Sequence, residues 1–161
     1  MLMSQYYGNS DRINFQTAEL LSLLFNGFII TIVFLFCFFR SNLVLSIFTN
    51  EQTAIEIGSR YIKIASFTYL LFAVSNVFSI SMRCCFMARQ AMLAGVISIA
   101  VNIIFNYAFI FGKFGFPAMG IEGAAYATVL ARIVEVLSLL GYAYYKKVYC
   151  ALNFAKVFKN I

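Results

Sequence analysis

Long apolar runs separated by short polar stretches set the plan of this chain. Runs at 17–39, 61–81, 91–112 and 120–145 each reach the ~20 residues that an α-helix needs to cross ~30 Å of hydrocarbon. The pattern predicts an all-α integral membrane protein with four transmembrane helices. A short N-terminal segment, 1–16, precedes the first span, and a basic tail, 146–161, follows the last. Little of the chain is left over for a soluble domain.

The few polar residues inside the runs fall on helical faces. In the third run Ser98, Asn102 and Asn106 recur at i, i+4 and i+8. In the fourth, Thr128, Arg132, Glu135 and Ser138 recur at i, i+4, i+7 and i+10. Each set therefore lies on one side of its helix. A charge at the centre of a membrane helix costs about 2.5–3.5 kcal/mol on insertion scales. Such a cost is borne where the charge faces a protein interior or a watery cavity, so the two stripes are expected to turn toward a common interior. There the amides of Asn102 and Asn106 can meet the Arg132–Glu135 pair. A structural reading stands beside this one. Amide and hydroxyl stripes act as hydrogen-bond glue between helices, at about 0.6 kcal/mol per contact, and Arg132 and Glu135, one turn apart, can neutralise each other. Gly123, Ala127 and Ala131 form a small-residue edge for close helix packing. The only proline, Pro117, falls in a stretch read as a tight non-cytoplasmic turn.

Composition agrees with the pattern. Hydrophobic residues make up 63% of the 161 and charged residues 11%, against about 25% charge in a soluble domain. The net charge of +6 does not form a nucleic-acid patch, because the basic residues cluster at the ends of the spans. Arg12, Arg83, Arg89, Lys146, Lys147, Lys156 and Lys159 would share one side, and Arg40, Arg60, Lys63 and Lys113 the other. The positive-inside rule then places both termini in the cytoplasm of a multi-pass cell (plasma or inner) membrane protein. Cys37, Cys84, Cys85 and Cys150 show no C-x-x-C spacing, and no histidine is present to complete a zinc site. The polar N-terminus is unlike a signal peptide, so the first run is expected to be retained as a helix. No nucleophile–base pair, phosphate-cradling glycine loop or metal cluster points to an enzyme or a cofactor.

The segment from Asn102-Ile-Ile-Phe-Asn106 through Gly112, Pro117, Gly120 and Gly123 to Thr128 and Arg132 resembles the fifth helix, outer turn and sixth helix of the multidrug and toxic compound extrusion (MATE) family. Gln5-Tyr6-Tyr7-Gly8 with Asp11 is similar to the family's cytoplasmic segment between helices two and three. Arg83 opens a segment like its loop between helices four and five. The resemblance implies helices three to six of a six-helix N-terminal lobe. It also implies that helices one and two, with the family's ion-binding aspartate, and the whole second lobe lie outside this match. It places Asn102 and Asn106 on the lobe's cavity, with Thr128 nearby, and Asn106 stands where some members carry an aspartate. The loop departs from the family's Arg-Gly-x-Gly pattern, reading Arg83-Cys84-Cys85-Phe86-Met87-Ala88-Arg89-Gln90-Ala91, which would let the helices run further through it.

These observations set three functional expectations. The first is part of a multidrug or organic-cation efflux antiporter driven by a proton or sodium gradient, not transport-competent as this chain alone. Its partners would be the lipid bilayer, small organic cations or drugs, and the missing helices or second lobe. The second is a lipid-linked oligosaccharide flippase of the same superfamily, although only Arg132 is available inside the membrane for lipid phosphates. The third is a non-transporting truncated membrane fragment. In every case the cavity candidates are Asn102, Asn106, Thr128, Arg132 and Glu135.

Overall fold

A computed structural model describes residues 2–146 and 148–150. Lys147, Lys156 and Lys159, with most of the basic tail, lie outside the described residues. The described chain forms seven helices and no strand: α1 (Leu2–Gly8), α2 (Arg12–Phe39), α3 (Ser41–Ser46), α4 (Gln52–Ala65), α5 (Phe67–Cys84), α6 (Ala88–Phe111) and α7 (Gly120–Tyr145). Four units are long and apolar enough to cross a membrane: α2, α4 with α5, α6, and α7.

The helix limits differ from the apolar runs for local reasons. Helix α2 starts at Arg12 rather than at residue 17, because Asp11 caps it by accepting from the backbone N–H of Asn14 at 3.1 Å. The N-terminal segment is itself partly helical, and α1 packs on α2 and α5. The second span is the middle of a longer unit, Gln52–Cys84, of 33 residues. At a rise of 1.5 Å per residue that is about 50 Å, well beyond the hydrocarbon thickness. Helix α4 carries Glu56 and Arg60, which precede the apolar run but do not end a helix. The break between α4 and α5 falls at Ser66. Its hydroxyl donates to the Lys63 carbonyl at 2.7 Å, and the Thr68 hydroxyl donates to that of Ala65 at 2.6 Å, the kind of back-bonding that bends helices.

The turn from α5 to α6 is only Cys85–Met87, so the helices do run nearly to meet each other. Phe86 takes a left-handed conformation, φ 59°, that a glycine would adopt without strain. It stands two residues before the start of α6, in the stretch where the family pattern has its glycines.

Two packing centres hold the bundle. At one end, Phe15, Met82, Leu139 and Cys150 are fully buried between α2, α5, α7 and residues 148–150. There Arg12 donates to the Val148 carbonyl at 3.1 Å and Gln16 to that of Tyr149 at 3.0 Å. The first and last described residues therefore lie at the same end. The second centre is the α6–α7 pair. A Cβ on Gly123 would stand 2.9 Å from the backbone of Phe109, and Ala127 and Ala131 continue the buried edge one and two turns on. Between the two helices, Gly112 closes α6 in the left-handed conformation, φ 65°, and the Met119 N–H returns to the Phe109 carbonyl at 2.9 Å. The outward faces, for example Phe25, Phe28, Ile103 and Leu137, are exposed and apolar, as lipid requires.

Gly123→Ala is expected to destabilise the protein by about 1–3 kcal/mol, because the added methyl meets backbone that cannot step aside. Gly27→Ala, with nothing within 4 Å of the new Cβ, should unfold at or above the parent temperature. Thermal unfolding in detergent checks both, and equal midpoints for the two variants would refute the close contact.

Candidate functional site

Helices α6 and α7 bring their polar stripes to a single groove of about 330 Å³, lined by Gly95, Ser98, Ile99, Asn102, Thr128, Ala131, Arg132 and Glu135. Crossing bonds fix its walls. Ser98 Oγ donates to the Ala131 carbonyl at 2.8 Å, and Asn102 Nδ2 to Thr128 Oγ1 at 3.4 Å. Thr128 in turn donates to the Ala124 carbonyl at 2.8 Å, which leaves its oxygen oriented as an acceptor toward α6. Asn106 donates to Asn102 Oδ1 at 2.8 Å.

Arg132 Nη1 and Glu135 Oε2 are 2.6 Å apart. The guanidinium also lies over the Phe72 ring of α5, 5.5 Å from its centre, so a third helix forms part of the surroundings. Four of the five expected cavity residues thus line one groove. Asn106 does not; it sits a turn beyond and reaches the groove only through Asn102. The expected meeting of amides with the charged pair is also not found. The amides bond to each other and to Thr128, while Arg132 and Glu135 pair along their own helix. The reason is reach. Residues three apart on α7 are neighbours on its surface, whereas Asn102 faces Thr128, a full turn away from Arg132.

Two polar atoms of the groove region keep unused capacity. Asn106 Oδ1 is buried with no donor in reach, and Glu135 offers its second oxygen. With a carboxylate, amide oxygens, a hydroxyl and an aromatic face, the arrangement can take up a cation or a hydrogen-bond donor. Among the described residues no three His, Cys, Asp or Glu side chains are placed to hold a metal ion.

Sequence reading passed over one residue. Glu19, the lone acid of the first run, is fully buried at the other packing centre. Its position inside a membrane helix was itself the available signal. Cys85 and Cys150 lie near it. Burial pushes each of their thiols up to about 12.

The groove, the apolar outside and the four long helices define a multi-pass membrane protein with a polar interior. Its MatE family model matches residues 1–108, and the chain belongs to that family. It is 37% identical over 108 residues to the "Probable multidrug resistance protein NorM" of Thermotoga maritima, covering 66% of this chain and 23% of that protein. A NorM protein of Synechocystis is 45% identical over 60 residues, covering 37% of this chain and 13% of its own length. The fold matches a solved structure described as the inward-facing conformation of a multidrug resistance MATE family transporter of the MOP superfamily. That match has a TM-score of 0.85 at 20% identity and covers 96% of this chain and 34% of the other. The chain thus spans about a quarter of the length of the first of these curated relatives and a third of the solved one.

Alkylation requires the thiolate, so Cys85 and Cys150 should react with iodoacetamide at pH 8 at least tenfold more slowly in the folded protein than after denaturation. Mass spectrometry of the labelled peptides checks this. Labelling at the denatured rate would contradict the buried, protonated state of both thiols.

Proposed function

We propose that this chain is part of the N-terminal lobe of a multidrug or organic-cation efflux antiporter, and that the α6–α7 groove lies on the substrate or ion path. The observation that carries the reading is a mid-span polar groove with a carboxylate, an amide and a hydroxyl on otherwise apolar helices. Family membership and the NorM relatives support it. Lipophilic cations fit this chemistry, since Glu135 offers charge and Phe72 an aromatic face. Arg132 serves as the resident counter-ion of Glu135, and an arriving cation competes with it for that carboxylate.

The coupling ion in this reading is a proton or sodium, and no other cofactor or enzymatic step is invoked. The other wall of the path comes from the second lobe, and one lobe rocks against the other. Alone, the chain is therefore not expected to transport. The cytoplasmic side is assigned to the end where Arg12, Arg83, Arg89 and Lys146 gather, by the positive-inside rule. A flippase has less support, because the groove's single cation is already held by Glu135.

Asn102→Leu in a complete relative carrying this α6–α7 segment removes the Thr128 contact and an acceptor from the groove. Losing roughly 1–1.4 kcal/mol of polar contact corresponds to a fall of about 5- to 10-fold in cation-driven ethidium efflux at normal expression. Unchanged efflux would remove the groove from the transport path.

A further inference from the structure

The buried Glu19 belongs to no part of the groove. It sits two turns into α2, fully buried, and neither carboxyl oxygen has a hydrogen-bond partner. Ser81 lies alongside it, but directs its hydroxyl to Met3 Sδ at 3.6 Å. It shares this packing centre with the buried side chains Phe15, Met82 and Leu139, and the buried Cys85 and Cys150 lie near it.

Helix α1 supplies Tyr6 and Tyr7, the α2 cap supplies Asp11, which accepts from Asn14, and α2 supplies Arg12, which donates to the Val148 carbonyl and lies over Tyr149. Helix α5 supplies Cys84 and the exposed Arg83, and its following turn Cys85. Helix α6 supplies the exposed Arg89, α7 Tyr142, and the segment after it Lys146, Tyr149 and Cys150. Among the described residues none forms an ion pair with Glu19. An ionised carboxylate with no partner in such a place costs far more than its neutral acid.

A strap closes this end. Gln16 and Arg12 bind the carbonyls of Tyr149 and Val148, and the Tyr7 ring meets the Tyr149 ring edge-on at 5.0 Å. Arg12, Gln16 and Glu19 follow at i, i+4 and i+7, on one face of α2, so the strap covers the carboxyl.

We infer that Glu19 is a proton-binding site of this lobe, separate from the groove, which holds its proton while the strap of residues 148–150 is shut and gives it to water when the strap opens. The proton passes from the carboxyl to an entering water molecule, and the carboxylate left behind is hydrated. The site lies at the end of the lobe where both ends of the described chain meet, so opening that end and releasing the proton are one event. The inference does not depend on what the groove binds, nor on transport.

The test is infrared spectroscopy of the chain in lipid nanodiscs, with carbon-13 in the glutamate side-chain carboxyls. At pH 7 a protonated-carboxyl stretching band that shifts with the label is expected in the parent. It should be lost in Glu19→Gln and retained in Glu135→Gln. Opening the strap with Gln16→Ala should make the band disappear at a lower pH than in the parent. Absence of a label-sensitive band at pH 7 in the parent overturns the inference, as does its survival in Glu19→Gln. Should Glu19→Gln not fold, the parent decides alone. Dicyclohexylcarbodiimide, which adds to protonated carboxyls in apolar surroundings, should then modify Glu19 in preference to Glu51 and Glu56 by peptide mass spectrometry. No adduct at Glu19 would sink the idea.

Discussion

The backbone contact between α6 and α7 at Gly123 and Phe109 sets the geometry on which the groove depends. In hydrocarbon there is no water to reward burial of apolar side chains between helices, so association rests on close packing and on hydrogen bonds that lipid cannot supply. Gly123, Ala127 and Ala131 let the two backbones approach. That approach is what brings Ser98 within 2.8 Å of the Ala131 carbonyl and Asn102 toward Thr128. A larger side chain along that edge would separate the stripes and leave several polar groups facing lipid. The short connection closed by Gly112 holds the pair in register from the other side.

The polar groups thus fall into two sets with different supports. The groove set is mutually bonded and partly open, and its charges cancel within α7. Open, paired charge suits a site that exchanges partners. The Glu19 set is closed and apolar, held under a strap of backbone carbonyls and tyrosine rings. A closed carboxyl suits a site that changes state only when the structure around it moves. Both sets lie on helices whose outer faces are apolar, so motions that open either one shift helices against each other rather than unfold them.

Much of this was legible in the sequence, for identifiable reasons. Apolar runs of sufficient length marked the four spans, and the limits of α7, 120–145, coincide with its run because glycine and a charged pair of lysines bracket it. The polar stripes were visible as helical spacing. The start of α2 was not, because a cap such as Asp11 reads as loop, and α4 was not, because its charged face precedes the apolar run. The pairing inside the groove escaped as well. Spacing gives the face of a residue but not its height against a neighbouring helix, so the meeting of Asn102 with Thr128 rather than Arg132 needed the structure. Glu19 was a different omission: one acid in an apolar run was readable, but the neighbours that close around it, Ser81, Cys85 and Cys150, come from distant segments that no local pattern connects to it.

A transport role requires that the α6–α7 stripe face water inside the membrane rather than serve as dry glue. Single cysteines at Asn102→Cys, Thr128→Cys and the outward-facing Ile103→Cys, treated in nanodiscs with a charged, membrane-impermeant methanethiosulfonate, test it most directly. Labelling above the parent background is expected at positions 102 and 128, and none above it at 103. Protection of 102 and 128 to the same degree as 103 would contradict it, and would return the stripe to a purely structural role.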